Sequence, residues 1–272
     1  MNAQLERTER LFGAEAMERL RRSRVLVFGA GGVGGFVIEA LARSGVGTLG
    51  ICDSDDIALS NLNRQIIATH RTVGMQKADA FEARIREIDP DIIVKKYPVF
   101  YLPDSETAEL FDFSEYDYIV DAIDTVAAKI DIILRAIEAG TPVISSMGCG
   151  NRVDPGKLAI TDIYKTNMDP LAKVMRRELK KRGVKKLKVL CSSESPVVPL
   201  DLGTGQAEDF GQDSAEMPQA QRTPAASGKK VPPGSTAFVP SAGGLMIAAE
   251  VVRDLTGFDP AGRTKGGKQT AK

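Results

Sequence analysis

The 272-residue sequence predicts an α/β fold: a doubly wound, mostly parallel sheet with helices on both faces and a C-terminal elaboration. Three observations carry this expectation. Short apolar runs alternate with segments of helical spacing through the first 150 residues. A glycine-rich turn, Gly29-Ala30-Gly31-Gly32-Val33-Gly34, follows one such run and opens a helical segment. Gly29, Asp53, Asp124 and Gly148 each stand just past the end of a run, where ligands sit in sheets of this kind.

Residues 5–22 set Leu5, Leu11, Met17 and Leu20 among many charges and predict a helix. Val25–Phe28 is a short apolar strand, and Val33–Ala42 a helix that starts straight after the glycines. Thr48–Cys52 is the second strand. Gln76–Ile88 carries Ala80, Phe81, Ile85 and Ile88 at helical spacing, and Asp91–Val99 is rich in β-branched residues. Tyr118–Val120 is a strand that ends at Asp121. Ala127–Ala139 is a helix closed by Gly140-Thr141-Pro142, and Val143–Ser146 is a further strand. The alternation makes the sheet Rossmann-like, with residues 1–150 as a nucleotide-binding core.

Past Gly150 the pattern changes, and residues 151–258 predict an elaboration of the same domain. Lys157–Ile163 and Leu187–Leu190 are candidate strands, and Asp169–Lys181 a basic helix. Residues 199–233 are rich in Gly, Ala, Gln, Ser and Pro, the composition of a long mobile loop. An apolar segment, Ala237–Pro240, and a helix over Gly243–Leu255 follow. Residues 259–272 predict a disordered basic tail.

Apolar residues make up 43% of the chain and charged residues 26%, ordinary for a soluble globular protein. A net charge of zero gives no global case for a nucleic-acid partner, so any such case rests on a local patch. No apolar run approaches the roughly 20 residues of a membrane span. The N-terminal MNAQLERTERLFG has charges where a signal peptide would be apolar, so a cytoplasmic location is expected. Cys52, Cys149 and Cys191 form no CxxC pair, which argues against a cysteine-rich zinc site and a disulfide framework.

The chemistry is concentrated between Val25 and Gln65. Glycines such as Gly29, Gly31, Gly32 and Gly34 let the backbone pass close to phosphates, and the following helix N-terminus offers free N–H groups and a partial positive charge. Asp53, at the end of the second strand, stands where an acid accepts the ribose hydroxyls of a nucleotide, and Asp55 adds a second carboxylate. These residues alone do not separate NAD from ATP. Asn61, Asn63, Arg64 and Gln65 begin to: hydride transfer needs no arginine here, whereas charge builds on the phosphates during adenylation. Arg64 can grip phosphate oxygens with its planar fork, and Lys77, at the start of a helix, can supply a second positive charge. In Val120-Asp121-Ala122-Ile123-Asp124, Asp124 is the better candidate to hold Mg²⁺ against ATP phosphates, and Asp121 reads as a loop or cap residue.

As an ordered set, GxGGxG, DxD, SNLNRQ, a lysine and DxxD resemble the ubiquitin-activating-like enzymes, over about Arg7–Gly150 and more loosely to Leu255. The resemblance implies that Gly31 and Gly34 line the phosphates and that Asp53 holds the ribose. It assigns Asn61, Arg64 and Lys77 to the phosphates and Mg²⁺ to Asp124. It also implies a homodimer in which Arg10 reaches the partner subunit's ATP, and it admits sulfur-relay partners. The sequence departs from the carrier-protein-adenylating members, which have two CxxC pairs and commonly Asn where this chain has Thr125. DAIDTVAAKIDII, SSMGCGNRVDP and DIYKTNMDPLAKVMRREL are instead similar to the branch that dehydrates threonylcarbamoyladenosine at position 37 of tRNA. That branch activates a carboxylate with ATP and closes the side chain to a cyclic form.

A tRNA partner has local support. Between Lys173 and Lys188 nine basic residues, among them Lys173, Arg176, Arg177, Lys180, Lys181 and Arg182, face one acid, Glu178, a net +8. Clustered cations bind an RNA backbone by releasing counterions, although such runs are often only solvated helix faces. Cys191 follows an apolar strand with no cation beside it in sequence and reads as structural or site-lining. Cys149 is expected to line the crevice and Cys52 to lie in the core. One histidine, His70, excludes a His-based triad. The alternatives are adenylation of a ubiquitin-like sulfur carrier, an NAD-dependent oxidoreductase, and a scaffold that binds ATP without chemistry.

Overall fold

The computed structural model describes residues 3–202 and 231–258. Seven strands form one sheet in the order β3-β2-β1-β4-β5-β7-β6. They are β1 (Arg24–Phe28), β2 (Thr48–Cys52), β3 (Ile93–Tyr97), β4 (Tyr118–Asp121), β5 (Val143–Ser146), β6 (Leu158–Asp162) and β7 (Lys188–Ser192). All neighbours run parallel except β6, which pairs antiparallel with β7. The helices are α1 (Glu6–Phe12), α2 (Ala14–Arg22), α3 (Gly34–Arg43), α4 (Lys77–Ile88), α5 (Glu106–Glu109), α6 (Val126–Glu138), α7 (Pro170–Lys181) and α8 (Val239–Thr256).

Alternating side chains of the strands feed opposite faces of the sheet. Val25, Val27, Leu49, Ile51, Tyr118, Val120 and Leu190 pack under α2, α3, α4 and α8. Leu26, Phe28 and Ile119 pack under α5 and α6, and Val189 and Cys191 under α6 and α7. Strands buried on both faces explain why they read as continuous apolar runs.

The expected helix over residues 5–22 is broken at Gly13, whose φ of 87° ends α1 and starts α2. Helix α8 begins before the expected Gly243: Val239 opens it and Pro240 sits in its first turn, where a missing N–H costs nothing. Residues 203–230 of the expected loop and the whole expected tail lie outside the described residues.

Because the core is parallel, β1, β2, β4 and β5 all end at one pole, and the loops that leave them form the crevice. Helix α7 starts at this pole, where its N-cap Asp169 accepts the Gly148 N–H. It ends beside the start of β7 at the opposite pole. No helix is long and apolar enough to cross a membrane, among the described residues.

Candidate active site

The glycine loop leaves β1 with Gly29 in the left-handed region, φ 87°. A Cβ on Gly29 would lie 2.7 Å from the Ala122 carbonyl oxygen, and one on Gly34 only 1.8 Å from that of Gly29. These two glycines hold helix against strand. Gly34, expected to line phosphates, therefore has a packing role in the geometry. Gly31 is the open position, where a Cβ would meet only Gln65, at 3.8 Å; one on Gly32 would press on Pro240 at 3.2 Å. The Gly29 N–H is spent on Cys52 O and that of Ala30 on Asp53. Those of Gly31, Gly32 and Val33 have no acceptor among the described residues and lie at the start of α3, where an anion is favoured.

Asp53 is held from three sides. Its carboxylate accepts the N–H of Ala30 at 2.7 Å and of Asp55 at 2.9 Å, and pairs with Lys77 Nζ at 3.3 Å. Lys77, buried at the first turn of α4, also reaches Asp55 at 2.6 Å. The cation assigned to phosphate is thus parked on the two carboxylates of the DxD motif. Asn61 Oδ1 caps its own turn by accepting the Ala58 N–H at 3.1 Å. Asn63 Nδ2 donates to Ser235 O at 3.1 Å, tying the motif to the segment that leads into α8.

Arg64 is half-buried and donates to Ser60 O and Asn63 Oδ1, both at 3.0 Å. Burial lowers its proton affinity, and the charge of Asp124 opposes that. Asp124 is exposed to solvent in the crevice yet crowded by protein, which raises its pKa; Lys129, Arg64 and Lys77 pull the other way. No group of three or more His, Cys, Asp or Glu side chains could hold a metal among the described residues. Asp124 alone suits an ion that takes most of its oxygens from phosphates and water, as Mg²⁺ does.

Asp121 is the last residue of β4 and fully buried, not a loop residue. It pairs with the equally buried Lys129 at 2.9 Å and accepts Ser145 Oγ–H at 2.5 Å. Lys129 completes its donors on Ile123 O at 3.0 Å and Ser146 O at 2.8 Å. This pair locks the turn that presents Asp124 to the start of α6 and to β5. Lys129 escaped the sequence reading because, on a helix, it resembles any solvated lysine.

The remaining assignments fall elsewhere. Arg10 is exposed on α1 and paired with Glu6; two residues on, Phe12 packs on Phe258 just past α8, with ring centroids 4.7 Å apart, at the pole away from the crevice. On α7, Arg176 is turned inward onto Thr166, while Arg177, Lys181 and Arg182 converge on Glu178 at 2.9, 2.9 and 3.0 Å. Lys173 and Lys180 are exposed. Burial pushes the Cys149 thiol up to about 12 and raises those of Cys52 and Cys191, so all three stay protonated near neutral pH.

A glycine loop with free N–H groups, the Asp53 carboxylate at the end of β2, two cations and a solvent-facing aspartate thus share one crevice. A model described as the ThiF family matches residues 3–270. The chain belongs to the ThiF family. Among its ThiF-family relatives, the tRNA threonylcarbamoyladenosine dehydratase of Bacillus subtilis is 43% identical over 253 residues, 93% of this chain and 94% of that protein. The crystal structure of the E. coli dehydratase TcdA in complex with ATP superposes with a TM-score of 0.76 at 29% identity, covering 93% of this chain and 94% of that one. The same E. coli enzyme was also solved with AMP. A yeast adenylyltransferase and sulfurtransferase UBA4, from Vanderwaltozyma polyspora, is 38% identical over only 152 residues, 56% of this ThiF-family chain and 34% of that protein.

Proposed function

We propose that the protein carries out ATP-dependent dehydration of threonylcarbamoyladenosine at position 37 of tRNA, through activation of the nucleoside's carboxylate. The observation that carries this reading is end-to-end similarity to dehydratases, joined to a crevice that gathers Arg64, Lys77 and Asp124 around the glycine loop. Adenylation of a sulfur carrier is the second reading. The UBA4 likeness, confined to about half the chain, and the lack of CxxC pairs favour it less.

The chain's residues divide the work. The N–H groups of Gly31, Gly32 and Val33 receive phosphate oxygens, and Asp53 the ribose. Arg64 and Lys77 neutralise the charge that develops as the carboxylate oxygen attacks the α-phosphorus and pyrophosphate leaves. Lys77 must first let go of Asp53 and Asp55, so incoming phosphate and resident carboxylates compete for one ammonium group. Asp124 would hold Mg²⁺, which supplies charge neutralisation at the phosphates when bound. The activated acyl carbon is then attacked from within the same side chain, which closes the ring and releases AMP. A thioester on Cys149 or Cys191 is not needed, and their protonated thiols do not favour one.

The same reading has residues 1–150 as the nucleotide-binding core and 151–258 as its elaboration. It makes the protein a cytoplasmic homodimer in which Arg10 serves the partner's crevice, and it leaves room for sulfur-relay partners. The test is AMP formation from Mg²⁺-ATP in the presence of either threonylcarbamoyladenosine-containing tRNA or a sulfur-carrier protein. AMP dependent on the modified tRNA is expected. AMP dependent on the carrier alone would hand the assignment to the second reading. Arg64→Ala and Asp124→Ala are each expected to fold and to lose ATP cleavage by at least about a hundredfold, as for loss of a transition-state charge partner. Unchanged turnover in both would remove the adenylation chemistry.

A further inference from the structure

The crevice has a second side. The glycine loop lies past β1 and Asp124 past β4, and the turn after β5, residues 147–152, borders what remains. Arg152 is the group there that the site described so far does not absorb. Its side chain is only 2% exposed. Nη2 donates to Met168 O at 3.1 Å, whereas the buried Nε and Nη1 find no acceptor among the described residues. Unmade hydrogen bonds on a buried charge are costly, and an apolar chain of similar size would avoid the cost.

The surroundings are acidic. Asp169, also buried, divides its carboxylate between the N–H groups of Ala172 at 3.0 Å and Gly148 at 3.1 Å and makes no ion pair with Arg152. Cys149 feels the charges of Asp169, Asp124 and Arg152 together, so the turn after β5 lies near both the solvent-facing aspartate and the buried guanidinium. A carboxylate entering from this side meets two aspartates, and a cation with free donors must offset them. The backbone on both sides of the group is strained: Asn151 has φ 57° and Met168 φ 52°. Asn151 also clasps Gly234, donating its N–H at 2.8 Å and accepting one at 2.6 Å. Strain of about 1–3 kcal/mol per residue persists where it serves a site.

We propose that Arg152 is the anchor for the carboxylate of the acid that is activated, received on the β5 side of the crevice. The inference rests on the dehydratase reading and deepens it. The planar fork matches a carboxylate in a way that a point charge does not. At 2% exposure the guanidinium receives a carboxylate only once the packing around it opens.

The test measures the KM of modified tRNA in AMP formation, the Kd of ATP, and the Kd of the same tRNA lacking the threonylcarbamoyl group, in wild type, Arg152→Met and Arg152→Lys. Arg152→Met is expected to raise the KM for modified tRNA by at least about tenfold, the scale of one charge-assisted pair, with Arg152→Lys recovering part. Both Kd values should stay put. An unchanged KM in Arg152→Met would leave Arg152 as a water-bridged partner of Asp169 and overturn the proposal. So would a parallel loss of ATP affinity, which would make it a phosphate contact. If Arg152→Met does not fold, Arg152→Lys decides: a wild-type KM there overturns the proposal. Failure of the dehydratase reading shows up differently, as no AMP from wild type with modified tRNA.

Discussion

The charged residues of the crevice divide into those that meet solvent and those that never do, and the division tells what each can do. Asp121 and Lys129 are fully buried and satisfied by one another, Asp121 also by the Ser145 hydroxyl and Lys129 by two backbone carbonyls. Removing one partner strands the other, so Lys129→Met is expected to destabilise the fold by about 3–5 kcal/mol, read from the denaturant midpoint. A loss under ~1 kcal/mol would show that the pair is not closed to water. The cysteines are equally decided by burial. With its pKa pushed up to about 12, Cys149 holds a vanishing thiolate share at pH 7, and that share grows about tenfold per pH unit as pH rises. Iodoacetamide should therefore label it slowly at pH 7 and faster at pH 9, and Cys149→Ala should keep AMP formation; loss of activity in that variant would restore a thiol role. The sequence displayed Arg64, Lys77 and Asp124 because they belong to spaced motifs. It hid Lys129 and Arg152 because a helical lysine and a loop arginine are expected to be wet until three-dimensional neighbours bury them.

Among elements, the parallel strands and their helices were legible because each is an apolar run bounded by glycine, proline or a charged stretch. Thr48–Cys52 and Val143–Ser146 have the expected bounds. The antiparallel return of β6 was not legible, since a five-residue strand reads the same in either direction. Helix α7 shows composition and geometry parting. Its net charge is evident in the sequence, yet Glu178 engages Arg177, Lys181 and Arg182, and Arg176 is tied to Thr166. Glu178 is held well below the usual carboxylate range, at about 2, by Lys181, Arg182 and Arg177, so it stays ionised and keeps these cations at any physiological pH. Glu178→Gln should free them. If α7 contacts RNA, tRNA binding should tighten about two- to tenfold at low salt, with a steeper dependence of log K on log salt. Unchanged affinity and slope would move the RNA footprint off this helix.

At the scale of the whole molecule, the crevice and the far pole serve different ends. Arg10 stands at the pole away from its own glycine loop, so one chain alone does not bring it to ATP. In a homodimer with an exchanged arginine, mixing Arg10→Ala with Arg64→Ala should restore activity. Half the dimers are mixed and each carries one complete site, so recovery should approach roughly a quarter of wild type. No recovery, with exchange of subunits demonstrated, would place Arg10 outside the site. The parallel, doubly wound core follows from alternating strands and helices and was foreseeable; the crossing of the chain over its own motif was not, because Asn63 and Ser235 are joined only in space.

That crossing bears on how the protein comes into being. Pro240 sits against Gly32, and Gly244 against Val33 and Phe36, so α8, the last helix among the described residues, walls one side of the glycine loop. During synthesis the glycine loop leaves the ribosome early and α8 late, and domains fold as units from the N-terminal end onward. A nascent chain can therefore assemble most of its sheet while the nucleotide pocket stays unfinished. Only chains translated through α8 have the α8 side of that wall, so a truncation before Val239 is expected to lose ATP affinity in a binding titration.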